Sequence, residues 1–110
     1  MATNTFKSYG AAITSAGYTT IYTAPAATQT TLIGLSLSNT YTTSITVNVQ
    51  IVKGASSYYL AYQVPVPVGS SIVIVGGDQK VVLEAANYVR AQVVTASGTA
   101  DAVASLLEIT

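Results

Sequence analysis

Ile45-Thr46-Val47-Asn48-Val49-Gln50-Ile51 alternates apolar and polar side chains without a break. Successive side chains of a strand point to opposite sides, so four β-branched residues share one face and Thr46, Asn48 and Gln50 the other. β-Branched side chains suit a pleated, half-buried surface, so the stretch is a strand with one face in a core.

Similar runs recur on both sides: Thr19 to Thr23, Thr30 to Ser38, Ser57 to Val64, Ser71 to Val75, Lys80 to Ala85, Tyr88 to Thr95 and Ala102 to Ile109. No segment carries a sustained helical stripe. Ala and Leu in Ala102 to Leu107 suit a short helix, but Val103, Ser105, Leu107 and Ile109 alternate, which favours strand. About eight short strands separated by turn signals predict an all-β chain: a single β-sandwich of antiparallel strands, jelly-roll or immunoglobulin-like.

The breaks have chemical causes. Pro25 cannot donate to a ladder and ends the run before it. Asn39 suits a turn between two strong strands. Lys53-Gly54-Ala55-Ser56 and Gly76-Gly77-Asp78-Gln79 have hairpin length. In Val64-Pro65-Val66-Pro67-Val68-Gly69, two prolines fix an extended path that cannot pair on their N–H side, marking an edge or a crossover. Residues 1–17 have the weakest pattern and read either as an arm reaching to a neighbour or as a frayed tail; residues 18–110 form the sandwich.

Composition narrows function. Of 110 residues only 7% are charged, against roughly 25% in an average soluble protein, and 50% are hydrophobic. Lys7, Lys53, Lys80 and Arg90 balance Asp78, Glu84, Asp101 and Glu108, so little like-charge repulsion keeps copies apart. Such a surface suits a protein packed against neighbours. Few Lys or Glu guard the strand edges, and closure of those edges by neighbouring subunits favours a homo-oligomer or a lattice position. The basic residues make no stripe for phosphates, so neither nucleic acid nor an anionic membrane is an expected partner. Ile72-Val73-Ile74-Val75 is too short to cross a bilayer, and Met1 to Lys7 lacks the apolar region of a secretion signal, so synthesis in a cytoplasm is expected.

The sequence contains no Cys and no His, which removes disulfides, thiol chemistry and the commonest general base and metal ligand. Each carboxylate has a structural reading. Asp78 sits in a glycine turn, Glu84 is placed to pair with Arg90 across a hairpin, Asp101 follows the Ser97-Gly98-Thr99 turn, and Glu108 faces solvent or a neighbouring subunit. No acidic loop suits calcium. No catalytic residue, cofactor or metal is expected, and the chain does not read as an enzyme.

Eight tyrosines against one Phe and no Trp are the remaining signal. In one strand, Tyr58 and Tyr62 are expected to share a face with Leu60, with Tyr59 opposite. Rings half buried at a sandwich rim, rings buried in a subunit interface and rings exposed to stack on sugars are three open readings. Tyr58, Tyr59, Tyr62, Pro65 and Pro67 are the candidate contact residues.

Two stretches carry a family resemblance. Thr20-Ile21-Tyr22-Thr23-Ala24-Pro25-Ala26 running into Leu32-Ile33-Gly34-Leu35-Ser36-Leu37-Ser38-Asn39-Thr40, and Val68-Gly69-Ser70-Ser71-Ile72-Val73-Ile74 followed by Gly77-Asp78-Gln79-Lys80-Val81-Val82-Leu83-Glu84-Ala85, resemble small structural proteins of tailed bacteriophages, including cyanobacterial and marine phages. Where those proteins have Gly-Asp after Leu-Glu-Ala, this chain has Ala86-Asn87, so that turn is altered. The resemblance implies a virion component. A capsid decoration (cement) subunit contacting the major capsid protein leads, with a neck, tail or baseplate subunit or a carbohydrate-binding adhesin module as alternatives. It carries over no catalytic residue.

Overall fold

The computed structural model describes residues 3–76 and 80–110. Among the described residues nine strands divide between two antiparallel sheets: β1 (Asn4–Thr14), β2 (Thr19–Thr23), β3 (Gln29–Asn39), β4 (Ile45–Lys53), β5 (Ser56–Val66), β6 (Ser71–Val75), β7 (Val81–Leu83), β8 (Tyr88–Val93) and β9 (Thr99–Ile109). One sheet runs β1-β9-β3-β6, with β7 also paired to β3; the other runs β2-β8-β4-β5.

The pairing is nested. β4 folds back on β5, β3 on β6 and β7, β2 on β8 and β1 on β9, so the chain is one long antiparallel hairpin. Wrapping that hairpin on itself adds the β3–β9 and β4–β8 pairs. This is jelly-roll topology, which sequence periodicity left open beside the immunoglobulin-like alternative. The hairpin's closed end is Lys53-Gly54-Ala55-Ser56, as expected: Lys53 pairs with Ser56, and Gly54 takes φ +62° at the first turn position. That conformation costs an L-residue strain that glycine avoids. The loop containing Gly77, Asp78 and Gln79 lies outside the described residues.

The period-two faces define the core. Ile45, Val47, Val49 and Ile51 of β4 meet Leu32, Leu35 and Leu37 of β3 across the sandwich, with Val89, Ala91 and Val93 of β8 beside them. Asn39 turns the chain from one sheet to the other. Its side-chain oxygen accepts from Tyr41 N (2.7 Å), and its Nδ2 donates to the carbonyls of Thr43 and Val66 (2.9 Å each). A buried Asn is kept because all three bonds are made.

Several expectations need correction. The segment of weakest alternation supplies β1, paired with β9 from Asn4↔Ile109 to Thr14↔Thr99 without a bulge. The run from Lys80 contracts to three paired residues, Val81–Leu83, because β7 shares β3 with β6. In β9 the inward phase is Ala100, Ala102, Ala104, Leu106 and Glu108, whereas Val103 is 53% exposed.

The altered turn at Ala86-Asn87 remains tight. Asn87 N donates to Glu84 O (3.0 Å), and Ala86 holds φ +69°, the conformation where a glycine is normally used. Ala86 N and Ala24 N also bond across to Ala24 O and Asn87 O, tying the turn to the segment after β2. Ala86→Gly relieves left-handed strain and is expected to raise stability by about 0.5–1 kcal/mol. A guanidinium melt that shows Ala86→Gly less stable than wild type would refute that strain.

Candidate interaction surface

The five candidate contact residues lie on β5 and the turn after it, at the open edge of the four-stranded sheet. Pro65 sits opposite Thr46 on this edge strand, where its missing N–H costs no ladder bond, consistent with the edge reading of the proline segment. Tyr58, Tyr59 and Tyr62 are 57%, 48% and 59% exposed, and Pro65 and Pro67 are also exposed.

The expected faces of these tyrosines are overturned. β5 carries two extra residues relative to β4, with register shifts between Val47 and Val49 and between Val49 and Gln50. Gln63 adopts φ +50°, and its N–H donates to Asn48 Oδ1 at 2.6 Å. Bulges rephase a strand. Tyr59 and Tyr62 therefore meet edge to face with centroids 4.7 Å apart, while Tyr58 lies opposite Ile51 in register.

Beside this pair the outer side of the four-stranded sheet is covered by polar aromatic residues. Thr20, Arg90, Gln50 and Tyr59 form one cross-strand row. Arg90 Nε donates to Gln50 Oε1 (2.9 Å), and its guanidinium lies 4.5 Å from the Tyr18 ring centroid and 6.0 Å from that of Tyr88. Burial, and then the neighbouring Tyr59 hydroxyl, push Tyr18 above the ordinary tyrosine value. Asn48, Gln50 and Val52 are buried although they face outward, because this layer covers them. Glu84 does not pair with Arg90; it lies 3.5 Å from Lys53, an exposed contact of little energetic weight.

The outer side of the five-stranded sheet differs. Phe6, Leu107, Thr31 and Val82 form one row, and Gly10, Val103, Ser36 and Val73 another. Phe6 is 74% exposed, Val73 68% and Val82 56%. Beyond it runs the open edge of β1, eleven residues long with Lys7 as its one charged side chain.

Lys7 is 42% exposed and bonds to Glu108 (3.0 Å), which also accepts from the Tyr22 hydroxyl (2.5 Å). Tyr22 lies 2.9 Å from Thr30 Oγ1 and packs against Tyr9, centroids 5.1 Å apart. Glu108, expected at the surface, is thus buried where the two sheets meet. Its bonds to Tyr22 and Lys7 hold the carboxyl below the usual range, and burial followed by the bond to Glu108 pushes Tyr22 up to about 12. The signal in the sequence was the phase of β9: Glu108 is in step with Ala102, Ala104 and Leu106.

Chemistry finds little support. Among the described residues no three His, Cys, Asp or Glu side chains cluster as metal ligands. One surface depression of about 340 Å³ beside Phe6, Ile33 and Ser105 has Lys7 as its ionisable side chain; another of about 500 Å³ beside Thr28 and Ile109 has Glu84. Neither offers the paired carboxylates of acid–base hydrolysis.

No known family pattern matches the chain, and no curated protein matches it in sequence. Solved structures do. A chain of the Bacillus endospore appendages that form disulfide-linked pili superposes with TM-score 0.60 at 14% identity, covering 97% of this chain and 88% of that one. A chain of the acid-stable capsid of Helicobacter pylori bacteriophage KHP30 gives 0.58 at 11% identity, covering 100% and 94%. A chain of infectious bursal disease virus, Gx strain, gives 0.56 at 8% identity; the match covers all of this chain and 32% of that one. At these identities the likeness is one of fold.

Proposed function

We propose that the chain is a non-enzymatic structural subunit of a virus particle, most economically a phage capsid decoration subunit. In that role it packs on itself and on the major capsid protein, and it resides in the virion after synthesis in the host cytoplasm. The observation that carries this reading is a sandwich with charge-poor outer faces and an eleven-residue edge strand bearing one charged side chain. Surfaces of that kind associate by burying area and adding strands. The phage capsid chain, matched over nearly its whole length, supports the virion setting, and the appendage chain supports assembly in general. Disulfide linkage cannot serve here, because the sequence contains no cysteine.

Neck, tail or baseplate placement uses the same surfaces. A carbohydrate-binding module is favoured by one observation, the exposed Tyr59–Tyr62 pair, which offers ring faces to a sugar. Alanine at Tyr58, Tyr59 and Tyr62 separates these readings. The triple variant is expected to lose roughly tenfold or more in self-association or particle binding, since exposed aromatic residues dominate interface energetics. Unchanged association together with lost glycan binding would replace the structural reading with the adhesin one.

A further inference from the structure

We propose that copies of this chain stack head to tail, the outer side of the five-stranded sheet docking on the outer side of the four-stranded sheet of the next copy, with Asp101 of one paired to Arg90 of the other. The proposal rests on the assembly reading above and specifies its geometry.

The charges decide the pairing. In the five-stranded sheet, Lys7 and Glu108 are joined to each other on the inward side, which leaves Asp101, opposite Ala12 and Ser38, as the one charged side chain on the outer side of those strands. In the four-stranded sheet, Lys53 pairs with Glu84 across the sandwich, and Arg90 is the one charged side chain on the outer side of the strands. Among the described residues, neither Asp101 nor Arg90 has an ionic partner within 4.0 Å. Among the described strand residues, each outer side thus carries one charge and the two are opposite, with Lys80 lying exposed just before β7.

Arg90 is also prepared for a partner. Its Nε is held by Gln50 and its plane by Tyr18, so its orientation is fixed before docking and little side-chain entropy remains to be lost. The guanidinium fork suits a carboxylate. Around Asp101, exposed Val73 and Val103 supply apolar area for the aromatic layer opposite. The molecule measures 49 × 28 × 21 Å, large enough for an interface of the ~800 Å² per partner that a stable complex needs.

A two-fold dimer through either face would offer Asp101, or Arg90, only a like charge from the partner's strands, which is disfavoured. Opposite signs on opposite faces call for a heterologous contact, which repeats into a ring or a filament.

Sedimentation velocity at low salt on Arg90→Asp, Asp101→Arg, the double variant and a mixture of the two single variants tests this. Each single variant is expected to associate at least roughly tenfold more weakly than wild type. The double variant regains association. The equimolar mixture also regains it, because the introduced arginine then faces the introduced aspartate while the native pair forms at the alternate contact. Asp101 is exposed in the native fold, so Asp101→Arg reports on docking even if Arg90→Asp is unstable. Single variants that associate like wild type, or a mixture no better than its components, would overturn the stacking and leave the assembly reading standing. A wild-type chain that stays monomeric would overturn the stacking and remove self-association from the assembly reading.

Discussion

Gly98→Ala lowers the thermal midpoint by about 10 °C or more, the cost of forcing a methyl group against buried Val93 and Ile45. A Cβ built on Gly98 would lie 2.5 Å from Val93 Cγ1, 3.0 Å from Thr95 O and 3.2 Å from Ile45 Cγ2. Val93 and Ile45 are 0% and 1% exposed, so neither has space to yield. Thr95 O is backbone and accepts the Gly98 N–H at 2.9 Å, so moving it breaks the turn into β9. Overpacking of this kind costs about 2–3 kcal/mol, a large share of a domain's roughly 5–15 kcal/mol. Gly10→Ala is the control: its added Cβ finds its nearest neighbour at 3.8 Å, and a change within about 0.5 kcal/mol is expected. Equal effects of the two substitutions in a thermal melt would contradict the close packing under the β8–β9 turn.

Glu108→Gln has the second large effect, and pH reveals it. The native carboxylate accepts from Tyr22 and Lys7 and is held below the usual carboxylate range, whereas in the unfolded chain it titrates near the ordinary value of about 4.3. A depressed native value means that the unfolded state binds more protons. The stabilisation is therefore complete above about pH 4.3 and disappears as pH falls through the native value. At pH 7, Gln at this position is expected to cost about 1.5–3 kcal/mol, the worth of hydrogen bonds to a charged group. The gap to wild type narrows as pH falls below about 4.3. Tyr22 has the opposite sign: with its hydroxyl pushed up to about 12, its contribution is present below about pH 10 and is lost as pH rises through 12. Urea midpoints from pH 3 to pH 7 check the acid limb, and a Glu108→Gln deficit that does not vary with pH would show that the carboxylate's charge plays no part.

The sandwich was legible where one face of a strand is strictly apolar. β2 and β6 fall within their expected limits, and β4 extends its run by two residues. Elsewhere local pattern and tertiary placement part. In β1, polar and apolar residues mix on both faces, since Lys7 is turned inward and Phe6 outward, so alternation gives no signal. In β9 both phases are apolar enough to face a core; the alanine phase goes inside, and Glu108 goes with it because Tyr22 and Lys7 wait there. In β5, two extra residues rephase the tyrosines, and the bulge depends on Asn48 from the neighbouring strand. The proline segment was legible as an edge or a crossover, whereas the exposure of the tyrosines beside it was one of three open readings. Arg90 was read only as an ion-pair partner, because its place between Tyr18 and Gln50 requires strands far apart in sequence to meet.

The central claim, a subunit built to pack against copies of itself, is tested most directly by native mass from light scattering after gel filtration, across a concentration series. The account predicts species at multiples of the chain's 11.3 kDa whose proportion grows with concentration. A single species at the mass of one chain, persisting at high micromolar concentration, would contradict it.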